Sequence, residues 1–158
     1  MNVKRLSGYI GAAVVDTADG RIKGFIKDCV SAEDRLEGIV VQKNGVLRKE
    51  EFLPYRAVES FGDYEVRADF SSAVPVGRRE LHPVYNAEIG VIGANGERIG
   101  RVSDICFDAR DGRLVGLEIN RGIFHDVSRG RSMVEKFMMR RDGDGEYYAV
   151  SEEGGVDS

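Results

Sequence analysis

Tryptophan is missing from the 158 residues, histidine and cysteine occur twice each, and proline occurs three times. The two cysteines, Cys29 and Cys106, stand far apart and outside any Cys-x-x-Cys pair. That spacing suits neither a disulfide framework nor a tetrahedral zinc site, and both read as reduced, buried small hydrophobes. His82 lies beside Pro83 with no second imidazole or thiol nearby. A transition-metal site therefore lacks ligands, and neither a metal nor another cofactor is expected. An excess of positive charge is also missing: 23 Lys and Arg face 27 Asp and Glu, giving a net charge of −4. Composition thus offers no cationic surface to a phosphate backbone, and nucleic acid is not an expected partner. No stretch approaches the ~20 apolar residues that span a bilayer. The opening Met1-Asn-Val-Lys-Arg-Leu-Ser7 is not followed by a long apolar run, so no signal peptide is expected and the cytoplasm is the expected compartment.

Glycine is plentiful, and it is arranged. Asp16-Thr-Ala-Asp-Gly20-Arg-Ile-Lys-Gly24-Phe-Ile-Lys-Asp28 aligns with Ile92-Gly-Ala-Asn-Gly96-Glu-Arg-Ile-Gly100-Arg-Val-Ser-Asp104 at a constant offset (96 − 20 = 76). Leu36-Glu-Gly38-Ile-Val-Val41 aligns with Leu114-Val-Gly116-Leu-Glu-Ile119 once the offset has grown by two (116 − 38 = 78). An internal repeat of this kind changes the expected fold, because each copy becomes a structural unit. Residues 1–70 and 85–153 are the expected copies, 71–84 a linker holding two of the three prolines, and 154–158 a tail.

Asp19-Gly20, Asn44-Gly45, Asn95-Gly96, Asp111-Gly112 and Asp144-Gly145 supply positive φ at low steric cost between β-rich runs, which is a hairpin signal. The runs are Ala13–Val15, Ile22–Val30, Leu36–Lys43, Leu47–Leu53 and Tyr64–Arg67. In the second copy they are Ile89–Ile92, Arg98–Asp108, Arg113–Asn120, Met133–Met138 and Tyr147–Ser151. Short strands without a long helical period predict an all-β fold, here two tandem small antiparallel β-barrels joined by a Pro-containing linker. A unit of about 75 residues is marginal alone, so packing of one copy on the other, or of two chains as a homodimer, is expected to add stability.

Recurring Asp28 and Asp104 suggest acid-base or metal chemistry, but simple strand alternation places Asp28 with Ile26 and Val30, and Asp104 with Val102 and Cys106. A carboxylate beside a core is most simply an acceptor for turn amides. Asp28, Asp104, Gly20, Gly24, Gly96 and Gly100 are therefore read as a turn-anchoring frame. The loop from Gly93 to Gly100 lacks a following Gly-Lys-Ser/Thr, so it reads as a hairpin and not as a phosphate cradle. Asp142-Gly-Asp144-Gly-Glu146 lacks the remaining ligands of a calcium loop. His125, Asp126 and Ser128 carry hydrolase residue types without a nucleophile elbow. No catalytic residue is assigned.

The frame Val14-Val-Asp16-x-x-Asp19-Gly20-x-x-x-Gly24-x-x-x-Asp28, the strand Gly38-Ile-Val-Val41, then Phe52-Leu-Pro54-Tyr-Arg-Ala-Val58 and Phe61-Gly62-Asp63, resembles the photosynthetic-reaction-centre (PRC) barrel family. The second copy repeats Gly96, Gly100, Asp104 and Gly116-Leu-Glu-Ile119, but has Met133-Val-Glu-Lys-Phe-Met-Met-Arg140 in place of the Leu-Pro…Val segment. The resemblance implies a small barrel. It also implies a role in binding other proteins, as in the reaction-centre H subunit's cytoplasmic domain and a ribosome-maturation factor's C-terminal domain. A non-enzymatic protein-binding adaptor is the expectation, with a ribosome-assembly or RNA-associated factor and a membrane-surface regulator as alternatives. The expected partner surface is the longer loop of the second copy, through Arg121, Ile123, Phe124, His125, Arg129 and Arg131, since aromatic residues and arginine are enriched at interface hot spots.

Overall fold

The computed structural model describes residues 1–45, 49–77, 85, 88–121 and 131–152, with Arg131 described by its backbone only. Strand β1 (Val3–Arg5) opens the chain. The first half continues with β2 (Ala13–Asp16), β3 (Ile22–Ala32), β4 (Arg35–Lys43), β5 (Glu50–Pro54), β6 (Val58–Phe61), β7 (Glu65–Ala68) and β8 (Val74–Pro75). The second half comprises β9 (Gly90–Ile92), β10 (Arg98–Asp108), β11 (Leu114–Asn120), β12 (Arg131–Val134), β13 (Phe137–Arg141) and β14 (Tyr147–Ser151). The fold is all-β, apart from single turns of 3₁₀ helix such as Tyr55–Ala57 and Phe70–Ser72.

Among the described residues these strands form two seven-stranded sheets. One runs β6-β7-β2-β3-β4-β5-β8; the other runs β12-β11-β10-β9-β14-β13, with β1 pairing off the path to β10. Setting β9 to β14 against β2 to β7 gives the same neighbour order in both. The expected purely antiparallel barrels need two corrections. Each sheet contains one parallel pair, β2 with β7 and β9 with β14, and each ladder ends in open edges among the described residues. A parallel pair requires the chain to travel away and return, which neighbouring strand runs cannot reveal. The expected linker also carries structure: Val74 and Pro75 add to the edge of β5, where the missing amide hydrogen of Pro75 is tolerated. Val74 and Val76 there cover the outer face of the first sheet at Val30, Val40 and Phe52.

Local chemistry sets the hairpins. Gly20 and Gly96 sit at φ +71 and +83 in the turns leading into β3 and β10, the left-handed region that a side chain resists. Gly24 and Gly100 answer a different need. A Cβ on Gly24 would run into the carbonyl oxygen of Gln42 and the Val41 side chain, and one on Gly100 into the carbonyl of Asn120 and the Ile119 side chain. The partners correspond at the offset of 78 (120 − 42), so close strand approach is built identically in both halves.

The main core draws on both sheets, joining Leu6, Val14, Ile39, Leu53 and Val66 to Ile105, Phe107, Leu117 and Ile119. At the seam Tyr9, Phe61 and Phe107 meet edge to face, with ring centroids 5.1 Å apart for Tyr9–Phe61 and for Phe61–Phe107. Such pairs add to the area they bury. Across the seam the two long hairpins touch tip to tip: Leu36 N donates to Gly112 O at 2.9 Å, and Leu114 N donates to Asp34 O at 2.7 Å. Between those bonds Arg35 bridges Arg113. Leu36 and Leu114, and Arg35 and Arg113, are equivalent at the offset of 78, so the contact is reciprocal in the manner of a two-fold interface.

Tyr55 adds a second clasp. Its hydroxyl donates to Ala109 O at 2.6 Å, and its ring lies against Gly112. Burial, reinforced by the charges of Asp111 and Asp108, pushes its pKa up to about 12. Tyr55→Phe removes only the hydroxyl, so a loss of about 1 kcal/mol in urea unfolding is expected, with the slope of the transition unchanged. A neutral result would mean that the ring alone does the clasping.

Candidate interaction site and the paired aspartates

Asp28 and Asp104 are both buried and both follow a β-bulge, with register shifts between Ile26 and Asp28 and between Val102 and Asp104. A bulge takes one residue out of the ladder and leaves amides without strand partners. Asp28 Oδ1 accepts from Cys29 N at 2.7 Å and from Tyr85 N at 3.0 Å. Asp104 Oδ1 accepts from Ile105 N at 2.8 Å and Ser7 N at 3.1 Å, and its Oδ2 accepts from Ser7 Oγ at 2.6 Å and Arg5 Nη1 at 3.4 Å. The amides served belong to the bulge and to a remote segment, not to hairpin turns. The bulge also breaks the alternation expected from sequence, since Ile26 shares the main core with Cys29 while Val30 faces a separate cluster. Each aspartate is thus a tie between its strand and the segment leading into the other half.

The remaining candidates resolve into local structure. The Gly93 loop spends its amides on its own hairpin, Gly93 N bonding Glu97 O at 2.8 Å and Gly96 N bonding Gly93 O at 2.9 Å. Asp142 Oδ1 accepts from Asp144 N at 2.8 Å and Glu146 N at 3.1 Å, closing the exposed turn between β13 and β14. Burial pushes both thiols up, with the Asp28 charge adding to the effect at Cys29, so neither favours the thiolate that acts as a nucleophile. Asp108, fully buried, takes both the backbone amide and the guanidinium of Arg110, whose hydrogen bonds hold its carboxyl well below the usual carboxylate range. Asp108 thereby stiffens the turn that receives Tyr55.

Of the expected partner surface, Ile123, Phe124, His125 and Arg129 lie outside the described residues, as does the Arg131 side chain. The backbone of Arg131 pairs with Asn120. Arg121 Nε donates to Ser132 Oγ at 3.1 Å, so that arginine is tied to the base of the loop. Strand β11 ends at Asn120 and β12 begins at Arg131, and residues 122–130 between them lie outside the described residues.

Sequence reasoning passed over a second surface. A groove of about 630 Å³ opens between the β3–β4 turn, at Glu33 and Asp34, and the edge strand β13, at Met138 and Arg140, with Tyr147 beside it. The Tyr147 hydroxyl donates to Ser31 O at 2.8 Å, and the Arg141 guanidinium lies 5.0 Å from the Tyr147 ring centre. The one available signal was the departure of Met133–Arg140 from the first-copy pattern, which the structure resolves into β12, a break at Glu135 and Lys136, and β13.

The molecule is therefore an all-β protein whose two sheets share one strand order, each with a buried aspartate tying down its bulge. Residues 89–134, from the residue before β9 to the end of β12, match the PRC-barrel domain family. No curated protein matches the chain. Among the described residues no helix is long and apolar enough to cross a membrane.

Proposed function

We propose that the chain is a non-enzymatic, cytoplasmic protein-binding adaptor made of two tandem PRC-barrel-like units. The observation that carries this reading is the PRC-barrel match at residues 89–134, taken with the equal strand order of the two sheets and the coincident bulges at Asp28 and Asp104. The engagement of both aspartates and the raised pKa of both thiols support a scaffold over a reaction centre. The acidic balance of the chain favours protein over nucleic acid as the partner. The loop Arg121–Arg131 remains one proposed contact surface.

Purification from the native source, followed by quantitative mass spectrometry, tests the reading. A stoichiometric protein partner is expected, and its recovery should fall at least tenfold in the Phe124→Ala, Arg129→Glu double variant with an unchanged melting temperature. Hydrolysis of generic ester or phosphate substrates, abolished by a single substitution, would overturn the non-enzymatic reading. A melt lowered by several degrees would assign the loop to the fold.

A further inference from the structure

The second half carries a polar cluster that the first cannot build. Tyr85 stands where Ser7 does (85 − 7 = 78) and Val40 where Glu118 does (118 − 40 = 78), and Tyr85 N reaches Asp28 as Ser7 N reaches Asp104. Only in the second half do a serine hydroxyl and a second carboxylate join the buried aspartate. Ser7 Oγ donates to Asp104 Oδ2 at 2.6 Å, and Arg5 Nη1 donates to Glu118 Oε2 at 2.5 Å and to Asp104 Oδ2 at 3.4 Å. These residues and Ser103 line a pocket of about 460 Å³.

Ser7 also stands in a readable stretch of chain. It is exposed and follows Lys4-Arg5-Leu6, and basic residues three and two places ahead of a serine are the charge pattern that basophilic protein kinases bind. Val3–Arg5 has β10 as its one ladder neighbour among the described residues, so it opens at less cost than a strand held on both sides. Leu6 is buried, and a kinase therefore acts on the minority of molecules in which the segment has opened. Ser103 and Ser132 follow arginines too, yet Ser103 lies in the interior of β10, and Ser132 Oγ holds Arg121.

We propose that Ser7 is a phosphorylation site and that its modification releases Val3–Arg5 from β10. In the transfer, Ser7 Oγ forms a bond to the terminal phosphorus of a nucleoside triphosphate held by a protein kinase, the bond from that phosphorus to the leaving diphosphate breaks, and the hydroxyl proton passes to a base of the kinase. The phosphoryl group brings a charge of about −1.5 to −2 at neutral pH. Returned to its place it would face Asp104 and Glu118, whose side chains are 7% and 14% exposed, with Arg5 the cation that all three must share. Asp104 also loses the hydroxyl that donated to it. Repulsion at that separation, in a pocket that water screens poorly, keeps the segment open. Release uncovers the Cys106–Asp108 edge of β10, and an unpaired edge is one that folded proteins ordinarily keep covered. The inference stands independently of the adaptor reading.

The test uses the full chain, magnesium ATP and the purified catalytic domain of a basophilic serine kinase, with the phosphate located by mass spectrometry. Phosphate is expected on Ser7 and absent from Ser7→Ala, and Lys4→Ala should slow its addition by about fivefold or more. In the phosphorylated protein, amide exchange at residues 3–5 and 106–108 should quicken at least about tenfold, with exchange in β3 and β4 unchanged. Ser7→Ala loses the hydroxyl bond without adding charge, so it should quicken the same amides by about threefold or less. No phosphate on the folded chain, or phosphate on Ser103 or Ser132 alone, overturns the proposal. So does phosphate on Ser7 that leaves exchange at 106–108 where it was, or an equal effect from Ser7→Ala. The same phosphopeptide is expected in the protein purified from its native source, and its absence there across growth conditions overturns Ser7 as a physiological site.

Discussion

Asp104→Ala should destabilise the protein by about 2–4 kcal/mol, and Asp104→Asn by about 1 kcal/mol. The alanine removes the acceptor for Ile105 N, Ser7 N and Ser7 Oγ together. Ile105 is buried, so its amide is stranded in full, whereas Ser7 is exposed and regains part of its loss from water. Asparagine keeps one carbonyl oxygen for the two amides and gives up the charge shared with Arg5. The measurement is the urea midpoint at constant slope. Equal and negligible losses for the two variants would mean that the carboxylate does not anchor the N-terminal segment.

Phe107→Ala is expected to cost about 3–5 kcal/mol, the usual range for deleting a buried ring. Phe107 is 1% exposed and touches both Tyr9 and Phe61, so the cavity opens at the seam between the halves and not inside one of them. For a chain of this length the loss corresponds to a drop in melting temperature of roughly 10 °C or more. Because one core cluster spans both sheets, the drop should appear in a single transition, with amide protection lost together in β3 and β10. Two separate transitions, or loss of protection confined to β10, would show that the seam is a contact between independent units.

Much of the strand pattern was legible from local chemistry. The Asp-Gly and Asn-Gly pairs at 19–20 and 95–96 marked real left-handed turns, and the alternating runs before and after them became β2, β3, β9 and β10. The strands that went unread are those whose reason to form is tertiary. Val3–Arg5 is extended because β10 offers it an edge, and Val74–Pro75 because β5 does. Val58–Phe61 is too short for a period to show and is held by β7. Bulges are invisible to a period-two reading, which is why Asp28 was assigned the right burial and the wrong donors. The apolar run Met133–Met138 reads as one strand, yet Glu135 and Lys136 interrupt it, and the groove beside β13 depends on a turn about a hundred residues away in sequence.

The pairing of Val3–Arg5 with Cys106–Asp108 also sets an order of events during synthesis. Lys4 lies opposite Phe107, so the N-terminal strand emerges from the ribosome roughly 100 residues before its neighbour exists, an interval of about 5–20 s at ordinary elongation rates. Through that interval β2 to β8 can assemble on one another, while Val3–Arg5 has yet to meet its partner strand. A factor that reads the nascent chain within that interval meets Val3–Arg5 as an exposed β-edge, and the edge is concealed only once β10 has been made.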